Sequence, residues 1–393
     1  MFDFDKVVER RGTNCIKYDF AKESGKPEDI LPLWVADMDF QTAPPVLDRL
    51  RQRIDHGIFG YTETKDEYFQ AVKDWYQTGF GWSVEESWLV KTPGVVFAIA
   101  TAVRAFTDEG DAVLIQPPVY HPFRKTIIAN KRKVVENPLK LVAGHYEIDF
   151  EDFENKIAEH QVKLFLLCSP QNPTGRVWKG WELQKLGEIC LRHGVLVVSD
   201  EIHSDFVWEE NRHHVFASLS PDFEKIAVTC TAPSKTFNLA GLQISNIFIA
   251  DPELKKSFCN ELSAIGYSEV NMLGLDACRA AYEEGGDWLK ELKQYIWGNY
   301  LFLEEYLEKR IPKLHAVRPE GTYLVWVDFR DLGLSSAERE KLIVEKARLW
   351  LNEGGIFGRE GDGFERVNIA CPRAVLKQAL EQLEDAVTSI KKD

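Results

Sequence analysis

The middle of the chain alternates short, continuous apolar runs with segments whose apolar residues recur at helical spacing. The apolar runs predict buried strands, and the segments between them predict amphipathic helices. Strands are expected at 111–116, 164–168, 195–199 and 225–230, and helices at 94–106 and 181–193. This alternation is typical of βαβ units that build a mostly parallel sheet covered by helices on both faces.

The pattern changes in the last part of the chain. A long amphipathic helix is predicted at 288–311, a strand at 322–329 and a closing helix at 374–392. We therefore predict an α/β protein with two domains. The large domain is expected to span residues 46–285, and the smaller α+β domain to combine residues 1–45 with residues 286–393.

Composition and charge exclude several classes of protein. The 48 Lys and Arg residues against 62 Asp and Glu give a net charge of −14, which argues against binding to nucleic acid or to an anionic membrane surface. No apolar segment approaches the length of a membrane span. The seven cysteines form no C-x-x-C pair, so reduced, buried thiols in a cytoplasmic protein are expected. The His-containing segments "DEIHSD" and "NRHH" lack a zinc-type spacing, so no metal site is expected.

Polar and aromatic residues follow each of the four predicted strands. The segments are "PPVYHPF", "SPQNPTGR", "DEIHSD" and "TAPSKTF", in chain order. Because ligands of open α/β sheets bind outside the carboxyl ends of the strands, these segments predict one shared ligand site.

Three residues of these segments suggest a particular chemistry. Lys235 could form a Schiff base with a carbonyl group, although most lysines only extend their ammonium group into water. Asp200 could keep a pyridine nitrogen protonated, or it could simply cap a helix. Tyr120 could stack on a flat ring, although aromatic residues after strands more often serve packing.

Other residues complete this set. The Pro-Gly turn at 93–94 precedes a predicted helix, whose free N–H groups could bind a phosphate. Asn172 and His203 could bond a ring hydroxyl, or they could serve only the turn and loop that contain them. An amine, an acid, an aromatic face and a phosphate seat are together the parts of a pyridoxal 5′-phosphate site.

The ordered motifs "GYT", "TPGVV", "PPVY", "NPTGR", "DEIH", "SKTFNLAG" and "RVNIACPR" resemble the fold-type-I superfamily of pyridoxal-phosphate-dependent aminotransferases. The segments "LWVADMDF", "SKTFNLAGLQ" and "NIACPR" are similar to its branch of cystathionine β-lyases and cysteine-S-conjugate C–S lyases. The resemblance extends over nearly the whole chain. It implies the type-I fold, with a mostly parallel central sheet and a smaller α+β domain.

The resemblance also implies a role for each candidate residue. Lys235 would carry the cofactor covalently, Asp200 would face its ring nitrogen and Tyr120 would stack on the ring. The remaining cofactor contacts would come from Asn172, His203, Gly94, Val95, Val96, Thr231 and Ser234. The substrate would be bound by Arg366, Ala36 and Asn172. Tyr61 would reach the phosphate in the other subunit, which implies a homodimer with shared active sites.

Two departures from the superfamily pattern favour a lyase over an ordinary aminotransferase. His203 stands where many members have a tyrosine, and Gln243 stands where many have an arginine on the phosphate. The expected reaction is β-elimination, which yields a thiol, pyruvate and ammonia from cystathionine or cysteine-type substrates. An aminotransferase is the alternative. A ligand-sensing regulator is not expected, because Lys235 is present and the predicted elements leave no segment for a DNA-binding module.

Overall fold

The computed structural model of the protein describes residues 2–390. Its strands, numbered β1 to β15 in chain order, span Leu31–Pro32, Leu89–Thr92, Ala112–Ile115, Lys133–Glu136, Lys140–Val142, His145–Glu147, Leu164–Cys168, Leu196–Asp200, Ala227–Thr231, Ser245–Phe248, His315–Ala316, Leu324–Asp328, Leu349–Trp350, Asn352–Glu353 and Phe364–Asn368. Its α-helices, numbered α1 to α13, span Pro44–His56, Asp66–Phe80, Val95–Phe106, Pro122–Ala129, Phe150–His160, Gly180–His193, Pro221–Ile226, Pro233–Thr236, Pro252–Ala264, Met272–Glu284, Gly286–Arg310, Ser336–Lys341 and Arg373–Ile390.

The central sheet has seven strands in the order β2-β10-β9-β8-β7-β3-β4. Strand β10 is antiparallel to both of its neighbours, and the other pairs are parallel, so the predicted mostly parallel sheet is confirmed. Strand β7 shows why these strands form continuous apolar runs. Leu164 and Leu166 belong to the cluster that includes α3, whereas Phe165 and Leu167 belong to the cluster that includes α6. Both faces of the strand are therefore buried.

The predicted strand at 225–230 begins too early. Residues 225 and 226 end helix α7, which starts at Pro221 after Ser220 accepts a hydrogen bond from the Asp222 N–H. A proline at the first position and a serine cap favour this short helix over an extended strand. The predicted closing helix is present as α13, and its residues 391–392 lie outside the described part of the chain.

A second, antiparallel sheet has the order β11-β12-β15-β14; helix α11 contacts its strand β11, and α13 packs on α11. Its strand β12 lies within the predicted strand at 322–329, which extends too far at both ends. The boundaries of the two domains, at residues 45 and 285, stay a prediction.

The carboxyl ends of β2, β3, β7, β8 and β9 share one edge of the central sheet, since these strands run in the same direction. The four segments singled out in the sequence therefore meet there. In residues 2–390, no helix combines the length and the apolar character that crossing a membrane requires. All seven cysteines are free, and five of them are buried.

Candidate active site

A cavity of about 430 Å³, here named the central cavity, opens at this edge of the sheet. Its walls come from the start of α3 and from the segments that follow β3, β7, β8 and β9. The predicted residues that line it are Ala36, Gly94, Val95, Val96, Tyr120, Asn172, Asp200, His203, Ser234 and Lys235. Thr231, Arg366 and Tyr61 are not among its lining residues.

Lys235 extends into the central cavity from α8, the single turn that follows strand β9. Its Nζ donates a hydrogen bond to the carbonyl oxygen of Ala36 at 2.7 Å. Burial lowers the pKa of Lys235 to about 8, and the positive charge of Arg366 acts in the same direction, whereas Asp37 and Asp200 act to raise it. An amine with such a pKa can act both as a nucleophile and as a base near neutral pH.

Asp200 is the last residue of β8 and is 4% exposed. Its Oδ1 accepts a hydrogen bond from the Ile202 N–H at 3.2 Å. Burial raises the pKa of Asp200 to about 7, although this N–H and the charge of Lys235 act to lower it. A carboxyl group with this pKa is stabilised by a protonated nitrogen placed against it.

His203 and Tyr120 line the same cavity from neighbouring segments. Burial holds the pKa of His203 well below its usual range, so its imidazole is neutral. Its Nδ1 is buried without a hydrogen-bond partner, so a ligand group could bond to it. Burial also raises the pKa of Tyr120 to about 12, which keeps the phenol neutral.

Arg366 lies on β15 of the small sheet and is 5% exposed. Its Nη1 donates to Asn172 Oδ1 at 2.9 Å and its Nη2 donates to the Trp34 carbonyl oxygen at 2.9 Å. Its Nε is buried without a partner, and no ion pair joins Arg366 to any carboxylate of residues 2–390. Arg366 is therefore not one of the surface arginines that pair with an exposed acid. A buried, unneutralised guanidinium beside a cavity residue suits the binding of an anion.

The segment that carries Ala36, residues 33–40, is here named the strap. Asn368 Nδ2 donates to two of its carbonyl oxygens, and Asn238 Nδ2 donates to two others. The Tyr323 hydroxyl donates to the Ala36 carbonyl oxygen at 3.0 Å, so this oxygen accepts hydrogen bonds from both Tyr323 and Lys235. The strap is thus fixed against the lysine by side chains from the segment after α8 and from the small sheet. Sequence reasoning missed Tyr323, Asn368 and Asn238.

A buried charge cluster holds the acids of the strap. Lys17 is 0% exposed and its Nζ lies 2.9 Å from Asp39 Oδ2. Arg10 Nη1 lies 2.7 Å from Asp39 Oδ1, and the Tyr18 hydroxyl donates to Asp39 Oδ2 at 3.1 Å. The two aspartates inside the apolar motif "LWVADMDF" were the available sequence signal for this cluster.

The start of α3 forms one wall of the central cavity. Gly94 precedes the helix, and no side chain caps its first N–H groups. Thr231 was also predicted to contact the cofactor, but it does not line the cavity. Its hydroxyl donates to the Asn246 carbonyl oxygen at 2.7 Å. Gln243 also lines the cavity.

Tyr61 lies on the loop between α1 and α2 and is 93% exposed. Ile58 and Phe59 on the same loop are 67% and 61% exposed. The structure thus does not bring Tyr61 into the central cavity of its own chain.

Comparison with known proteins agrees with this geometry. The family model described as aminotransferase class I and II matches residues 28–383. Cystathionine β-lyase PatB of Bacillus subtilis (strain 168) is 45% identical to this chain over 386 residues, which cover 98% of this chain and 100% of PatB.

Two solved structures share the whole fold. Cystalysin from Treponema denticola, which contains a pyridoxal 5′-phosphate cofactor, superposes with a TM-score of 0.96 at 37% identity over 99% of this chain and 100% of its own. The pyridoxal-phosphate-bound C–S lyase from Staphylococcus hominis gives a TM-score of 0.92 at 34% identity, over 98% of each chain.

Proposed function

The chain belongs to the family of class I and II aminotransferases, and we propose that within this family it cleaves carbon–sulfur bonds of sulfur-containing amino acids. It is a pyridoxal-phosphate-dependent C–S β-lyase that releases a thiol, pyruvate and ammonia. The observation that carries the proposal is the central cavity, where the amine of Lys235 and the carboxyl of Asp200 face the same space. The guanidinium of Arg366 lies next to this cavity, because it donates a hydrogen bond to Asn172, which lines the cavity.

The residues of the central cavity fit pyridoxal 5′-phosphate. A Cβ added at Gly94 would meet no protein atom within 4 Å, so this turn leaves room beside the start of α3. The uncapped N–H groups of that helix suit a phosphate. The raised pKa of Asp200 suits a pyridine nitrogen, and the orphaned Nδ1 of His203 offers a bond to the ring substituents.

The cofactor and the protein side chains contribute different parts of the chemistry. When bound, pyridoxal 5′-phosphate supplies the electron sink for the pair left at the substrate Cα. Lys235 Nζ removes the Cα proton as the general base, and the Ala36 carbonyl oxygen is placed to accept a hydrogen bond from the ammonium that results. Asp200 holds a proton on the ring nitrogen. With sulfur on Cβ, the electron pair at Cα forms a Cα–Cβ double bond as the Cβ–S bond breaks, and the departing sulfur takes up a proton to become the thiol. The 2-aminoacrylate that is released then reacts with water to give pyruvate and ammonia.

Arg366 binds the α-carboxylate of the substrate. Its side chain is already oriented by Asn172 and Trp34, so little rotamer entropy is lost on binding. The strap borders this side of the site, and its Ala36 carbonyl oxygen accepts hydrogen bonds from the Tyr323 hydroxyl and from Lys235.

Product analysis tests the reaction. We expect the purified enzyme to form pyruvate and free thiol from cystathionine and from cysteine without any added 2-oxo acid. An aminotransferase would share all the residues named above but would need a 2-oxo acid to turn over. Amino transfer to a 2-oxo acid with no pyruvate from either substrate would contradict the lyase proposal.

Arg366→Lys should lower kcat/KM by about tenfold or more, mainly through a higher KM. A single ammonium cannot reproduce the two parallel hydrogen bonds of a guanidinium with a carboxylate. Steady-state kinetics with cystathionine measure this effect. Arg359→Lys is the matched control, since Arg359 is 86% exposed and should leave both constants unchanged. Unchanged kcat/KM in Arg366→Lys would remove Arg366 from substrate binding.

We propose that the enzyme acts as a homodimer in which Tyr61 completes the active site of the partner. The exposed aromatic and aliphatic residues around Tyr61 support this, because a second subunit would cover them.

Subunit mixing tests the shared site. Lys235→Ala and Tyr61→Phe proteins, each impaired alone, should recover roughly a quarter of wild-type activity after full exchange, because half of the dimers contain one intact site. A Lys235→Ala, Tyr61→Phe double variant mixed with Lys235→Ala has no intact site and should recover nothing. Absence of recovery despite demonstrated exchange would contradict a shared site.

A cytoplasmic location is also part of this proposal. Its support is the set of seven free cysteines, of which five are buried in the fold. Such thiols are typical of a reducing compartment.

A further inference from the structure

A second cavity, of about 450 Å³ and here named the rear cavity, is bounded by the end of α2, residues 204–213 and the first turns of α11. Asp205 lines it, and its Oδ2 accepts a hydrogen bond from the Thr236 hydroxyl at 2.6 Å. Thr236 follows Lys235 directly, so the rear cavity lies on the other side of the turn that carries the catalytic lysine. Its lining shares no residue with that of the central cavity.

His213 also lines the rear cavity. The residue is 3% exposed, and its Nε2 lies 2.7 Å from Glu201 Oε2. Its Nδ1 is buried and has no hydrogen-bond partner. The imidazole is thus held by Glu201 on one side only.

Two cations line the rear cavity without a hydrogen bond or an ion pair in residues 2–390: Lys293 on α11 and Arg212 on the loop. Burial lowers the pKa of Lys293, while Asp205 acts to raise it. A half-buried ammonium without a contact partner is held at a cost in free energy, which a bound anion would offset.

The acids around the rear cavity are already engaged. Asp205 accepts hydrogen bonds from Thr236 and from Trp75 Nε1, the latter at 3.2 Å. Glu209 Oε1 accepts a hydrogen bond from Arg318 Nη2 at 2.8 Å. Glu201 is paired with His213. The charged residues that line the rear cavity and are left without partners are therefore the cations Lys293 and Arg212.

We propose that the rear cavity binds a small carboxylate anion of roughly three to five carbon atoms, a size that its volume admits. The carboxylate would accept hydrogen bonds from Lys293 Nζ and from the guanidinium of Arg212. This site is separate from the substrate site at Arg366 and does not depend on the proposed lyase reaction.

Calorimetric titration of the holoenzyme with malonate tests this site. Malonate should bind at two sites per chain, one at Arg366 in the active site and one in the rear cavity. Lys293→Gln should weaken the rear-cavity binding by about tenfold or more, because it removes a charge-assisted hydrogen bond. Lys290→Gln, on the exposed face of the same helix, is the matched control and should bind malonate as the wild type does.

The outcomes separate the two sites. The Lys293→Gln enzyme should keep wild-type kcat and KM for its sulfur substrate, since Lys293 lies outside the central cavity. The proposal is overturned if Lys293→Gln binds malonate with unchanged affinity and stoichiometry. It is equally overturned if the wild type binds one malonate per chain and Arg366→Lys removes that binding.

Discussion

Lys235→Ala should abolish turnover and remove the visible absorption of the lysine-bound cofactor. The variant loses both the amine that binds the cofactor and the general base for the Cα proton, so kcat should fall by about three orders of magnitude or more. The residue has no obvious substitute, because the other residues that line the central cavity include no second lysine. Absorption spectra and pyruvate release measure the two losses separately.

The stability of the cofactor-free protein separates this effect from misfolding. The pKa of Lys235 is lowered to about 8, so below pH 8 the fold holds an ammonium that burial disfavours. Its removal should therefore not lower the free energy of unfolding near neutral pH. Lys225→Ala is a suitable control, because Lys225 is 66% exposed and should be replaceable without loss of activity. Near-normal turnover by Lys235→Ala would contradict the proposed mechanism as a whole.

The central sheet was predictable because strands buried on both faces are continuously apolar. "LFLLC" and "VLVVS" are examples, and they became β7 and most of β8. Strands β2 and β10 escaped prediction, since "LVKT" and "SNIF" contain polar residues and lack a continuous apolar run. Their positions are set by pairing with each other and with β9, which is a long-range contact.

The residues of the candidate site likewise fall into those that the sequence could predict and those that it could not. Residues directly after apolar strands, such as Asp200 and Lys235, could be placed because the topology brings those ends together. The strap could not be placed from the topology, although the resemblance assigned Ala36 to the substrate. Its hydrogen bonds join backbone carbonyl oxygens to the side chains of Asn238 and Asn368, which are far away in the chain. The burial of Arg366 could not be predicted either, because it depends on its contacts with Asn172, which follows β7, and with Trp34 of the strap.

Asp200→Ala should lower kcat by about a hundredfold or more while the protein still folds and binds its cofactor. Without the carboxylate, the ring nitrogen loses the charge that keeps it protonated, and removing one such electrostatic group typically costs this much. Asp200→Asn should be similarly impaired, because the amide keeps the shape of the carboxyl but cannot carry its negative charge. Steady-state pyruvate formation measures both variants. Normal turnover by either would reduce Asp200 to a structural residue that accepts the Ile202 N–H.

The pH dependence of stability distinguishes an electrostatic role of Asp200 in the reaction from a structural role in the fold. Burial raises the pKa of Asp200 to about 7, whereas an unfolded chain titrates near its ordinary value of about 4. The cofactor-free wild type therefore loses stability as the pH rises from about 4 to about 7, and the loss is complete above that range. Asp200→Asn avoids this cost, so urea unfolding should find it at least as stable as the wild type at pH 8, with a smaller advantage at pH 5. A variant that is less stable at pH 8 than the wild type would show that the carboxylate holds the fold, and its inactivity would then say nothing about the ring nitrogen.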